Sequence, residues 1–571
     1  MYSEGYLTQR IRPDGTQDDV LERLNRDAAP VSRVTGPDGN QLVVTIPLIS
    51  PPIRVAVWRV DVGKVPLFLL DTDIPENDPR CRSISSRLYT GKPEERLVQE
   101  IVLGIGGWKV LDTLGITFSA IHLNEGHPAF ALLEMVRERV SRGLSFREAT
   151  EQVRGIALFT THTPLPSATD VYPPDLMDRY FSGYYPALGI DRETFLSLGR
   201  HPGDPTGGFN MTVFALRMTA HHNAVSARHA GVSKEIWRDL WPDLPPENVP
   251  IDSITNGVHL STWINPRLLE LVTRYMLHAC PDWYHHHDTP ELWEMIDEIP
   301  DAELWKLHVW LKNKLIHRIR ERARMRWAAG LKEPANLSAD GLMLNPSVLT
   351  IGFARRFSGY KRADLIFHDV ERLKGILTNR WWPVQIIFAG KAHPCDHEGQ
   401  EILQRVYRFA ASPEFQGRIA FVEDYGEQTA QYLVHGVDVW LNNPLPPMEA
   451  CGTSGMKAAV NGVLNLSIRD GWWLEGYNGR NGWAFGGKSW SPTRNAEDAA
   501  ELYDILEREV VPLYYDTSLD GIPHGWVRMM KESIKSVAPR FSARRMVKEY
   551  IGRYYPSLIS CAERECRVPL R

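Results

Sequence analysis

The chain has 571 residues, too many for one hydrophobic core, so two large domains are expected. Its 65 basic and 70 acidic residues leave a net charge of −5, which argues against a polyanionic partner such as bulk nucleic acid. No apolar run reaches membrane-spanning length, and residues 1–12 lack the apolar core of a signal peptide, so a cytoplasmic protein away from membranes is expected.

In chain order, the short apolar runs 42–49, 53–60 and 65–70 are bounded by turn residues and read as strands. Residues 96–114 read as a helix, 118–123 as a buried strand running into Asn124-Glu125-Gly126-His127, and 129–142 as another helix. A second buried strand, 155–161, ends in Thr161-His162-Thr163-Pro164. The spacing of Val213, Leu216, Ala220 and Ala224 predicts one helix over 210–231. Residues 290–330 read as a helical connector with an apolar stripe of Leu304, Leu307, Leu311, Leu315 and Ile319. Its cations Lys312, Arg318, Arg322 and Arg326 read as a solvated face rather than a basic binding surface. The β-branched-rich runs 348–354, 384–390, 419–423 and 437–441 then alternate with helix-length segments, as in a doubly wound, Rossmann-like domain. The fold class expected is therefore α/β, with two such domains facing a cleft, the GT-B arrangement. The boundaries read are 1–265 for the first domain, 266–345 for the connector, 346–545 for the second domain and 546–571 for a tail helix.

Six scattered cysteines form no C-x-x-C pair and read as reduced thiols. The sequons at Asn210, Asn336 and Asn465 carry no information without a secretory signal. The cluster of Trp residues within 470–490 suits sugar stacking, but core packing is the stronger reading. His221-His222 and His285-His286-His287 are not expected to bind metal, because adjacent histidines on a helix face different ways. Gly104-x-Gly106-Gly107 is not a dinucleotide fingerprint.

Two segments carry chemistry. Arg356 and Lys361 sit five residues apart just after a predicted strand, where a fork and a point charge suit a phosphate. Glu449-Ala450-Cys451-Gly452-Thr453-Ser454-Gly455-Met456-Lys457 is a small-residue loop whose amides suit an anion. Lys457 at its end suits either a phosphate ligand or a Schiff-base amine, and composition does not separate the two. His162 and His127, each at a strand end, read as proton carriers, sugar-hydroxyl ligands or structural histidines.

The loop from Glu449 to Lys457 closely resembles the cofactor motif of glycogen and α-glucan phosphorylases. Asn124 to Pro128, Thr161 to Pro164, Thr255-Asn256-Gly257, Arg355-Arg356 to Tyr360-Lys361-Arg362, Phe388 to Ala392 and Asn461-Gly462 resemble family motifs in family order. The wording is closest to the short bacterial and archaeal branch. The resemblance implies pyridoxal 5′-phosphate as a Schiff base on Lys457, in a pocket with Gly452, Thr453 and Tyr425. It implies phosphorolysis of an α-1,4-glucan to glucose 1-phosphate, with the cofactor's phosphate relaying a proton. Arg356 and Lys361 would bind substrate phosphate, Glu449 and Asn256 the glucosyl unit, and His162 would support the transition state. Homo-oligomers occur in the family, and no metal is implied.

The sequence departs from the family at Gly426, Leu445-Pro446 and Ala168-Thr169-Asp170. The family's G-G-L-G-type phosphate loop is not found either, and Gly5 to Arg10 resembles a segment after it, so the leading strands are expected to lie outside this chain. Two other readings stay open. One is a truncated, catalytically impaired glucan-binding homologue. The other is a GT-B transferase using a nucleotide-sugar donor, against which Lys457 argues.

Overall fold

The computed structural model describes the whole chain except residues 1–3, 6, 37, 89–90, 166–168, 331–336, 487–493 and 567–571, and the side chains of 564–566. It opens with an antiparallel hairpin, β1 (Thr8–Ile11) and β2 (Gln17–Val20), turned at Gly15 with φ +88°. A small antiparallel sheet follows: β3 (Ser32–Arg33), β4 (Val43–Ile46), β5 (Ile53–Val62) and β6 (Val65–Asp71), with β5 paired to the other three. The helix expected over 96–114 is continuous through Pro93–Ile101, Val102–Gly106 and Gly107–Thr113. A Cβ on Gly104 would lie 2.8 Å from Ala131 N, so that glycine lets two helices approach.

The first parallel sheet contains β7 (Ile121–Asn124) and β8 (Ala157–Thr161). After a short antiparallel pair, β9 (Val171–Tyr172) with β10 (Phe209–Asn210), it continues with β11 (His221–Ala224) and β12 (Asp252–Ser253). Its order is β12-β11-β8-β7, so the chain winds across it in sequence order.

Here the single helix expected over 210–231 is corrected. Asn210 caps a helix over Met211–Arg217, β11 intervenes, and α1 (Ala227–Trp237) follows. The strand is buried on both faces, so it has no period-two signal for the helical spacing to compete with. His222 is satisfied inside it by the carbonyls of Pro250, Leu216 and Thr219, while His221 meets Ser557 Oγ. These histidines therefore lie on a strand, not on a helix.

The connector holds α2 (Asp301–Ala328), whose Leu304, Leu311, Leu315 and Ile319 are buried as the stripe requires. Its basic face is only partly solvated. Lys312 is fully buried, donating to Asp438 and to Tyr514 OH. Arg326 pairs with Glu423, and Arg318, which is exposed, donates to Gln428. The solvated reading thus fails at Lys312, where a buried carboxylate supplies the counter-charge.

The second sheet is built from β13 (Leu349–Ala354), β14 (Val384–Ala389), β15 (Ile419–Val422), then, after α3 (Glu427–Gly436), β16 (Val439–Asn442). After α4 (Thr453–Ala459) come β17 (Leu464–Ile468) and β18 (Gly482–Phe485). All six strands are parallel, in the order β15-β14-β13-β16-β17-β18, so the winding reverses between β13 and β16. In an open α/β sheet a ligand crevice is expected at that reversal, outside the carboxyl ends of the strands.

Two further helices, α5 (Ala543–Arg553) and α6 (Tyr555–Cys566), return to the first sheet, where Tyr550, Tyr554 and Leu558 pack on Leu158 and Ile254. Trp472, Trp473 and Trp483 are buried in the second core, so they pack rather than stack on sugar. Among the described residues no helix is long and apolar enough to cross a membrane, and Cys81, Cys280, Cys395, Cys451 and Cys561 are free thiols.

Candidate active site

The reversal between β13 and β16 collects the strongest charges of the sequence motifs. Arg355, the first residue after β13, and Lys361 both donate to Glu449 Oε2, each at 2.6 Å. Burial alone would disfavour the Glu449 carboxylate, but the two cations outweigh it and hold the carboxyl at about 2. The loops that bring these groups together are themselves bonded: Leu445 N donates to Tyr360 O at 2.7 Å, and Arg362 donates to Asn443 O, Pro444 O and Asp498. Arg362 is therefore a strut of the motif, held at φ +48° by those bonds.

Arg355 is the residue that the sequence reading missed. It is buried, and its Nη1 has no hydrogen-bond partner. An unused donor in the interior is costly unless an anion completes it. The signal was available: residues after a fully buried strand keep alternating, so 355 points in and 356 points out. Arg356 is exposed, and its charge acts on His393, which lies outside the Glu449 group.

Lys457 lies on α4, half-buried, with Nζ 3.8 Å from the centre of the Trp263 ring. Burial lowers its pKa, opposed in part by the charge of Glu427. Asn461 ties the two residues together, donating to both Trp263 O and Lys457 O at 2.8 Å. Trp263 is a second residue that no motif announced. Gly452 precedes Thr453, the first residue of α4, with φ +84°, and a Cβ there would lie 3.3 Å from the Glu449 side chain. Gly455 serves packing, because a Cβ would lie 2.5 Å from Asn465 Oδ1. Tyr425 is half-buried, its hydroxyl pushed up to about 12 by desolvation against the pull of the Arg355 charge. Asp470 accepts from Glu449 N at 2.9 Å, fixing the start of the loop, and burial raises its pKa to about 6.

The first sheet presents its own strand ends. His162 Nε2 lies 2.9 Å from Asn124 Oδ1, and His162 N donates to Glu125. Burial lowers the pKa of His162, partly opposed by Glu125, so the ring is neutral at neutral pH. Asn256 follows β12, with its N–H bonded to Val225 O at 3.1 Å and its carbonyl receiving Arg545. His127 sits apart in a cluster with Glu100 at 2.9 Å and Asp170 at 3.1 Å. Burial opposes its proton, but those carboxylates outweigh burial and hold the pKa at about 9. The three groups lie close enough to share an ion, but the Arg96 guanidinium stands 3.4 Å from Asp170 and supplies positive charge there. His285 and His286 are exposed beside Asp282.

The two sheets are joined at these loops. Ser226 Oγ donates to Ala450 O at 2.6 Å, and Glu475 accepts from Ala227 N and from Thr255 Oγ1. Val258 and Ala543 exchange backbone bonds with Phe541 and Val258 at 2.8 Å. His162 and Asn256 thus sit on strand-end loops of one sheet, Glu449 on a strand-end loop of the other, and Lys457 on α4, which follows that loop.

A family model described as carbohydrate phosphorylase matches residues 112–478. The chain is 50% identical over 559 residues to the glycogen phosphorylase of Aquifex aeolicus, aligning 98% of this chain with 80% of that one. It is 44% identical over 566 residues to the maltodextrin phosphorylase of Thermococcus litoralis, aligning 98% of this chain with 66% of that one. It is 39% identical over 572 residues to the glycogen phosphorylase of Mycobacterium tuberculosis, with 97% and 65% aligned. The chain thus spans just under two thirds of the length of the last two relatives.

Proposed function

Because the chain belongs to the carbohydrate phosphorylase family, we propose that it is an α-glucan phosphorylase. In this reading inorganic phosphate cleaves a terminal α-1,4 link of glycogen, starch or maltodextrin and releases glucose 1-phosphate, with pyridoxal 5′-phosphate held on Lys457. The observation that carries it is the buried Arg355–Glu449–Lys361 group at the winding reversal, whose Glu449 lies on the loop that leads into α4 and Lys457.

The residues fit that cofactor. Lys457 has a lowered pKa and the face of Trp263 beside it. Gly452 leaves room where a side chain would press on Glu449, and Thr453 opens the next helix. Arg355 Nη1 is a buried donor still to be used. When bound, the cofactor supplies a phosphate group able to exchange a proton with the substrate phosphate.

The chain's own residues do the rest. Lys361 and Arg355 offset the repulsion between two neighbouring phosphates. Glu449 stays ionised across the neutral range. Both of its cations bond Oε2, so Oε1 is the oxygen offered to a glucosyl hydroxyl. Asn256 binds the same sugar from the first sheet. The neutral His162 ring, with its loop dipoles, stabilises the oxocarbenium-like charge without adding a repelling cation. A cytoplasmic location and homo-oligomeric assembly belong to the same proposal. The phosphorylase names of the relatives do not favour a nucleotide-sugar transferase or a non-catalytic binding protein.

The test is glucose 1-phosphate release from maltodextrin and inorganic phosphate by this chain supplied with pyridoxal phosphate. Phosphate-dependent release is expected. Cofactor uptake without any release, under saturating glucan, overturns the assignment of activity.

A further inference from the structure

The turn that carries Tyr425 is held by a hairpin more than four hundred residues away in sequence, at a separation of 415. Asp424, just before Tyr425, has φ +56°, a left-handed conformation that a non-glycine residue keeps only where its surroundings fix it. Gln9 does much of that fixing. Its N–H donates to Asp424 Oδ1 at 3.1 Å, and its Oε1 accepts from Asp424 N at 2.9 Å. Its Nε2 donates to Gly390 O at 2.9 Å and to Gln17 Oε1 at 2.8 Å. Gln9 is 1% exposed, and its bond to Gly390 O is fully buried while the other three are partly so.

The same turn is gripped from three other directions. Ile11 N donates to Glu423 Oε1 at 2.6 Å, and Arg326 of α2 pairs with Glu423. Lys391, after β14, bridges Leu7 O at 2.6 Å and Asp424 Oδ1 at 2.7 Å. Arg322 stands 4.0 Å from Asp424. Burial disfavours the Asp424 carboxylate, but Lys391, the Gln9 N–H and Arg322 overcome it and keep the pKa lowered. Among the described residues Gln9 satisfies the Asp424 backbone N–H directly, so it bears on the dihedral angles that aim the next residue while the other contacts hold side chains.

We infer that Gln9 is a positioning residue for the Tyr425 turn, and that through it the first hairpin governs how tightly the cofactor pocket retains its occupant. The inference rests on the cofactor reading of Lys457 and Tyr425. Without the Gln9 amide, Asp424 N loses its acceptor, Gly390 O loses a donor, and the turn relaxes toward ordinary φ values, carrying the Tyr425 ring with it. The hairpin stays docked, because Gln17 holds Ala392 by two bonds of its own, at 3.0 and 2.9 Å. Asp14 O also receives Gln404 at 3.2 Å.

The experiment compares Gln9→Leu, which keeps the volume and removes the polar atoms, with Arg12→Ala, an exposed hairpin residue paired to Asp18. Release of pyridoxal phosphate is followed by absorbance during dialysis, and amide exchange is followed in the cofactor-free protein. In Gln9→Leu, release is expected about tenfold faster, the scale of losing buried hydrogen bonds. Amides 423–426 are expected to exchange faster while 17–20 keep wild-type protection. Arg12→Ala is expected to match wild type. Wild-type release and wild-type exchange at 423–426 in Gln9→Leu overturn the inference. Loss of protection at 17–20 also overturns it, since the effect would then be undocking of the hairpin. If wild type takes up no pyridoxal phosphate, the cofactor reading fails, and exchange at 423–426 alone decides the role of Gln9.

Discussion

The strand ends of the two parallel sheets face each other with opposite chemistries. Those of the first sheet offer His162, Asn124, Thr255 and Asn256 as neutral groups, beside the Glu125 carboxylate that holds His162 N, with the nearby His122 kept neutral by burial at about 4. The charged cluster of Arg96, Glu100, His127 and Asp170 is neutralised within itself. Those of the second sheet offer paired charge: Arg355, Lys361 and Glu449, with Lys457 on the following helix α4. Uncharged donors and acceptors suit the hydroxyls of a sugar, and buried cations suit phosphate. Under the proposed function, that difference would put glucan on the side of the first sheet and phosphate on the side of the second.

The largest way to break that division is Lys457→Ala. It is expected to abolish the absorbance of bound pyridoxal phosphate and all phosphorolysis, while maltodextrin binding by calorimetry persists. Loss of glucan binding as well would show that the two sides are not separable. Next is Glu449→Ala, which leaves two buried cations without their partner. A stability loss of about 3–5 kcal/mol is expected from denaturant unfolding, and a loss under about 1 kcal/mol would mean that Arg355 and Lys361 are solvated.

Gly257→Ala acts on the other side. Its Cβ would lie 2.2 Å from Ser542 O, a backbone atom, so the loop bearing Asn256 must shift. About 1–3 kcal/mol of destabilisation is expected, with a raised KM for maltodextrin and an unchanged KM for phosphate. An equal rise in both would erase the comparison.

The two sides also differ in the sign of their pH dependence, a smaller effect. Glu449 has a folded pKa of about 2, below its usual value. Its contribution is present above about pH 4.3 and is lost as pH falls toward 2. His127 has a folded pKa of about 9, above its usual value. Its contribution is full below about pH 6.5 and is lost as pH rises through 9. Melting temperatures should therefore descend less on the alkaline side in His127→Gln, and the acid side should weaken as well, because burial works against the Asp170 carboxylate and His127 helps hold its pKa at about 2.

Much of this was legible in the sequence, for identifiable reasons. Four of the six strands of the second sheet, β13 to β16, are buried on both faces and read as plain apolar runs, while β17 and β18 were not read. The Glu449–Lys457 loop and the Lys361 segment carried recognisable wording. What stayed hidden depends on contacts between distant segments. β11 reads His-His-Asn-Ala, and only its neighbours Pro250, Leu216 and Tyr550 make such a strand satisfiable. Lys312 looked like a surface cation because its partner, Asp438, is 126 residues away. Trp263 belongs to the site by burial, which no local pattern distinguished from its neighbours, whereas Arg355 could have been found from the alternation that continues past β13. Asn336 and Ala168, singled out in the sequence, lie outside the described residues.

The return of α5 and α6 to the first sheet sets an order for biosynthesis. Tyr550 OH receives Asn223 Nδ2 at 2.9 Å inside the sheet, a contact made between residues 327 positions apart. While the ribosome is still translating the second half, the face formed by Leu158 and Ile254 has no cover, and Asn223 lacks that partner. The half that is synthesised first is thus the half that is completed last. Its exposed apolar face has to be shielded in the meantime, by a chaperone or by the nascent chain itself, and truncations that remove residues 550–558 should yield aggregates rather than a soluble first domain.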